Sequence, residues 1–151
     1  MADERKRKPP RPLDAEGLER LALFYAGRYA TTRSKLRAYL ARKLREKGWA
    51  GEGDAPVDRL VERLAELRYV DDKAFAASRA ASLGRRGYGE RRVRQALAAA
   101  GIDEEDAVDA REQARAAAWA SALRFAEKRR IGPFAEHESD RPSRDKAMAA
   151  M

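Results

Sequence analysis

TRSKLRAYLARK (Thr32–Lys43) and GERRVRQALAAA (Gly89–Ala100) decide the fold when one is set above the other. At an offset of 57, Leu36 falls on Val93, Arg37 on Arg94 and Leu40 on Leu97. The same offset carries Asp14 to Asp71, Leu18 to Phe75, Gly27 to Gly84 and Arg28 to Arg85. Two stretches with helical spacing and a matched glycine share one register, so the chain is built from repeats of about 55 residues. A unit of that size buries little by itself and gains from a neighbouring copy.

Working outward, each patterned segment has helical periodicity. Asp14 is placed to cap a first helix with Leu18, Leu21, Ala22 and Tyr25 on one face, fading near Gly27. Thr31 or Thr32 caps a second, with Leu36, Tyr39, Leu40 and Leu44 inward and Gly48 at its end. After the long linker Ala50–Ala55, Pro56 suits the start of a third helix with Val57, Leu60, Val61, Leu64 and Leu67 as its buried stripe. Asp71 or Asp72 then caps a helix bearing Phe75, Ala76, Ala80 and Leu83, which Gly84 should end. The next helix presents Val93, Ala96, Leu97 and Ala100, and Gly101 with Ile102 is a helix stop. Asp103 caps an acidic helix, and an alanine-rich run follows from Arg111 to Arg130 with Trp119, Leu123 and Phe125. Gly132-Pro133 breaks it and HESDRPSRD reads as a loop. RDKAMAAM, residues 144–151, begins a third copy at an offset of 55, with Met148 in the place of Val93. Either that copy is incomplete or the end is natural and frayed.

The expected fold is therefore all-α, with tandem three-helix repeats forming an elongated array whose third repeat is incomplete. We divide the chain into a disordered basic tail over 1–13, a first repeat over 14–70, a second over 71–112 and a partial third over 113–151.

The 151 residues carry 33 Lys and Arg against 25 Asp and Glu, a formal charge of +8, which favours an anionic partner. There is no cysteine, which excludes a disulfide scaffold, a thiol nucleophile and a zinc finger. No apolar run is long enough to span a membrane, and the start of the chain lacks the apolar core of a signal peptide. We expect a cytoplasmic monomer with no cofactor and no metal. The single histidine, His137, sits in a polar loop. Asp71 and Asp72 are adjacent, so they do not share a helix face, and capping explains them better than acid–base chemistry.

GRRGYGERRVRQAL, Gly84–Leu97, has three glycines but no Gly-Lys-Ser/Thr ending and no preceding strand, so it is not a phosphate loop. Gly87 suits a positive φ, Gly89 a helix start, and Tyr88 packs between the helices. Five arginines, Arg85, Arg86, Arg91, Arg92 and Arg94, face only Glu90 in this stretch. Arg91 and Arg94 fall off the apolar face, while Arg92 lies near its edge. In the first repeat, Arg33, Lys35, Arg37, Arg42, Lys43, Arg45 and Lys47 face only Glu46. Such helices make a basic stripe that suits either phosphates or protein carboxylates. Arg33, Arg37, Arg85, Arg86, Arg91 and Arg94 are its candidate contacts.

YVDDKAFA, followed by the Gly-Tyr-Gly turn and the Arg-Val-x-x-x-Leu helix, resembles the RecX family of bacterial regulatory proteins. The signature falls on Asp71, Asp72, Phe75, Ala76, Gly87, Tyr88, Gly89, Arg92, Val93 and Leu97, with Gly101 as terminator, and the likeness runs from about Leu18 to Met151. The resemblance implies three tandem three-helix repeats seated in the groove of the RecA filament on single-stranded DNA, a modulating role without a catalytic centre, and signature residues that are mainly structural. The first repeat departs from the pattern, having Ala30-Thr31-Thr32 in place of Gly-Tyr-Gly. An independent single- or double-stranded DNA-binding protein is the alternative.

Overall fold

The computed structural model describes residues 11–136 and 141–150. The expected tail lies outside them up to residue 10, and His137 lies outside them as well. The described residues form eight α-helices and one short 3-10 turn, and the chain divides into two compact units, residues 1–71 and 72–151.

In the first unit α1 (Ala15–Arg28), α2 (Arg33–Lys47) and α3 (Val57–Glu66) pack on one another. Asp14 accepts from the Gly17 N–H at 2.7 Å and Thr32 from the Lys35 N–H at 3.2 Å, so both helix starts are capped by side chains. Leu18, Ala22, Leu36, Leu40, Val61, Leu64 and Val70 form the core. Leu13 belongs to it too. Its N–H donates to Gly48 O and its own carbonyl accepts from Ala50, each at 2.9 Å, which ties the chain entering the repeat to the end of α2. Order thus begins before the capping aspartate, earlier than the tail reading put it.

In the second unit α4 (Asp72–Arg85), α5 (Glu90–Ala99) and α6 (Glu104–Ala116) repeat the arrangement. Its core is Ala76, Ala80, Leu83, Val93, Leu97, Ala100, Ile102, Ala107 and Ala110, with Phe75 and Tyr88 packed against it. α7 (Ala118–Arg129) lies against α4 and α6, a 3-10 turn spans Gly132–Phe134, and α8 covers Arg141–Ala150.

Several helix ends differ from expectation. α1 fades beside Gly27 as expected, ending at Arg28, whereas α4 runs through Gly84 to Arg85 because an isolated glycine costs a helix only about 1 kcal/mol. The expected loop over 137–145 is helical from Arg141 onward. Leu67 is exposed rather than buried because α3 stops at Glu66. Trp119 is 76 % exposed.

The way four helices stop is uniform. After α3, α4, α5 and α7, a residue with positive φ (Arg68, Gly87, Gly101, Arg130) is followed by an apolar one. The N–H of that apolar residue reaches back five positions: Tyr69 to Leu64 O, Tyr88 to Leu83 O, Ile102 to Leu97 O and Ile131 to Ala126 O, at 2.9 to 3.1 Å. The residue with positive φ bonds three positions back, completing a Schellman closure.

Candidate basic interface

The α4–α5 turn gathers the arginines. Gly87 is buried with φ +87°, and a β-carbon there would lie 2.9 Å from Phe125 N and 3.0 Å from its Cα. The turn is therefore pressed against the backbone of α7, and only glycine meets both conditions. Arg124 Nη1 donates to Gly84 O at 3.0 Å and adds a second tie between the same helices. Gly89 is the extended residue before α5 and has open space where a side chain would stand.

Around this fixed turn, Arg86 and Arg92 lie over the Tyr88 ring at 5.3 and 5.8 Å, and Arg129 lies over Phe125 at 5.6 Å. Tyr88 packs on the core and offers its remaining surface to two guanidinium groups. Arg85, Arg86, Arg91, Arg92 and Arg94 are all exposed. Among the described residues none of the five has a carboxylate within ion-pair distance.

Glu90, the acid interleaved with them, is turned away toward α6. It accepts from Arg111 Nε at 2.8 Å, and Arg115 lies 3.9 Å away. Arg111 also holds Glu104. The Arg111 hydrogen bond holds the Glu90 carboxyl below its ordinary range. Burial opposes this, and the charges of Arg111, Arg115 and Arg94 reinforce it. A carboxyl whose pKa is lowered by folding stabilises the fold above its unfolded pKa of about 4.3, and that contribution is lost as pH falls through the folded value. Urea unfolding across pH should show wild type losing stability below about pH 4.3 more steeply than Glu90→Gln. Parallel curves would remove this pair from the acid response.

The first unit treats its basic helix differently. Arg37 donates through Nε to Asp58 at 2.8 Å and also holds Glu62, which Arg33 approaches at 3.5 Å. These two arginines are thus committed to bracing α2 against α3, whose carboxylates at positions 58 and 62 stand one helical turn apart. Sequence reasoning set α2 against its own acid alone and missed them. The i, i+4 acids of the third helix were the available signal. It also missed the Glu90–Arg111 clamp. Of the signature residues, Val93 and Leu97 are core, Asp72 is buried at the start of α4, Asp71 is half-buried with Arg68 at 3.5 Å, and Gly101 closes α5. Among the described residues no group of three or more His, Cys, Asp or Glu is placed to hold a metal ion, and no helix is long and apolar enough to cross a membrane.

Comparison with known proteins bears directly on this arrangement. The family described as "RecX, second three-helix domain" matches residues 71–110, the segment containing the turn. The regulatory protein RecX of Myxococcus xanthus is 34 % identical over 158 aligned positions, covering 98 % of this chain and 83 % of that protein. The regulatory protein RecX of Chlorobaculum tepidum is 42 % identical over 71 positions, covering 47 % of this chain and 42 % of that one. The crystal structure of RecX from Lactobacillus salivarius superposes with a TM-score of 0.71 at 21 % identity, covering 90 % of this chain and 84 % of that one. This last likeness is one of fold.

Proposed function

Because the chain belongs to the RecX family of regulatory proteins, we propose that it binds the RecA recombinase filament on single-stranded DNA and restrains its ATP hydrolysis and strand exchange. It acts by binding, without a catalytic centre, as a cytoplasmic monomer. The observation that carries the reading is the α4–α5 turn, where five exposed arginines have no acidic partner among the described residues. Their neighbouring acid is engaged elsewhere, and the turn is held by a glycine against α7. The backbone that carries these unneutralised guanidinium groups is fixed, so only their side chains need ordering when the cluster meets an anionic surface. Arg85, Arg86, Arg91 and Arg94 are its contacts. Arg33 and Arg37 contribute less, because α3 already neutralises them.

The test is ATP hydrolysis by a cognate RecA filament with this chain titrated in, alongside binding of naked single-stranded DNA. Inhibition below one chain per recombinase, with the filament competing for the chain better than the naked strand does, is the expected result. Arg91→Glu with Arg94→Glu should weaken inhibition on the order of tenfold or more with helicity unchanged. Unchanged inhibition by that variant would remove the cluster from the mechanism. Naked DNA binding that outcompetes the filament and falls steeply with salt would instead mark a stand-alone DNA-binding protein.

A further inference from the structure

The first unit carries a second surface that the arginine turn does not include. Tyr25 of α1 and Tyr39 of α2 stack at 4.1 Å between ring centroids, with planes 16° apart. Both rest on the core, so their stack is a fixed base rather than a mobile pair. Tyr29 continues the row, 5.2 Å from Tyr25. Phe24 is 58 % exposed and Tyr29 is 50 % exposed, and Arg28 lies 5.9 Å from the ring centre of each. Arg42 and Lys43 lie over Tyr39 at 5.5 and 5.9 Å. Phe24, Arg28, Tyr29, Tyr25, Tyr39 and Arg42 thus follow one another in a continuous chain of ring and cation contacts across α1 and α2.

The charge of this face is positive. Glu46 pairs with Lys43 at 2.6 Å and with Arg42 at 3.7 Å. Among the described residues no carboxylate lies within ion-pair distance of Arg28. The cations therefore outnumber the acid that serves them, and the least neutralised of them sits between the two most exposed rings.

We propose that Phe24, Tyr25, Arg28, Tyr29, Tyr39 and Arg42 form a stacking platform for single-stranded nucleic acid. Unpaired bases present flat faces to exposed rings, and their phosphates lie beside them, within reach of interleaved cations. An acidic protein segment would use the cations and leave Phe24 and Tyr29 in water. Duplex DNA has its base faces occupied and would do the same. Tyr25 and Tyr39 already cover one face of each other, so Phe24 and Tyr29 supply the free ring surface. Arg28 supplies the phosphate contact between them. The platform deepens the filament reading and rests on it for where such a strand is met, while its chemistry belongs to the first unit alone.

The test uses the full chain and a fluorescein-labelled oligothymidylate, followed by anisotropy at low salt. Saturable binding weaker than binding to the filament is expected. Phe24→Leu with Tyr29→Leu keeps apolar volume and removes the ring faces. It should weaken binding on the order of tenfold or more, with the circular dichroism spectrum unchanged. Phe24→Tyr with Tyr29→Phe should bind as wild type does, which an effect of hydrophobicity alone would not require. The platform is overturned if wild type shows no saturable binding, if the leucine variant binds equally well, or if polyglutamate competes as effectively as oligothymidylate. Recombinase ATP hydrolysis, run in parallel, separates the two readings. Ring-dependent strand binding without any inhibition leaves the platform standing and removes the filament role. Normal inhibition with ring-independent strand binding does the reverse.

Discussion

Leu97→Ala is expected to destabilise the second unit by about 2 to 5 kcal/mol in urea unfolding. The side chain is 1 % exposed and packs in the cluster that holds Leu83, Val93, Ile102 and Ala107. Many of its neighbours are alanines, whose short side chains on helices cannot reach into the space a lost isobutyl group leaves. The cavity should stay open, which puts the cost in the upper part of that range. Leu97 also accepts the closing hydrogen bond from Ile102, and the two side chains form the apolar contact of that helix stop. Against a typical domain stability of about 5 to 15 kcal/mol, the loss is large enough to leave much of the unit unfolded at modest denaturant. A change under about 1 kcal/mol would mean that the second core is assembled differently.

Gly87→Ala should cost about 2 kcal/mol or more, because two penalties coincide. Alanine at φ +87° loses roughly 1 to 2 kcal/mol to its own backbone. Its β-carbon also arrives 2.9 Å from Phe125 N, a backbone atom that cannot rotate aside, so α7 must move off the turn. Gly89→Ser is the matched control. Its backbone is extended, its space is open, and it precedes α5 without a side-chain cap, so a serine hydroxyl can accept from the exposed N–H groups of the first turn. That variant should be neutral or stabilised by roughly a few tenths of a kcal/mol. Equal effects at both positions, measured by urea unfolding, would show that the contact with Phe125 does not govern Gly87. Limited proteolysis should show faster cleavage near residue 117 in Gly87→Ala only, as α7 loosens.

The repeat made most of this architecture legible. Apolar residues at helical spacing, Asp14 and Thr32 before their helices, and Gly87 and Gly101 after theirs are local signals, and local signals survive in a single sequence. What was lost depended on neighbours distant along the chain. Leu67 fits the apolar stripe of α3 by spacing, yet it follows the last helical residue, and the closing turn carries it outward. Gly84 resembled a stop, yet it lies inside α4, where context overrides a small propensity cost. Arg33 and Arg37 of α2 looked unopposed because their carboxylates stand on another helix, 21 and 25 positions away for Arg37. The arginines of the α4–α5 turn read as exposed and are exposed. The aromatic face of the first unit passed as core pattern, since Tyr25 and Tyr39 do rest on the core and only the placement of Phe24, Arg28 and Tyr29 reveals the rest.

The four matching helix stops have a consequence for how such a chain can lengthen. Each is sealed within six residues by an inner apolar carbonyl, a left-handed residue and an apolar partner, and at α4 the Gly84 carbonyl also accepts from Arg124 of α7. Arginine fills the left-handed position twice, so the apolar pair carries the signal as much as the glycine does. Punctuation of this kind is portable. A helix that carries it ends there by its own sequence, and it need not recur in the matching helix: α4 and α5 carry it while α1 and α2 do not, and α2 has 15 residues where α5 has 10. The two units differ on their outward faces as well, one spending its arginines on internal braces and the other leaving them bare.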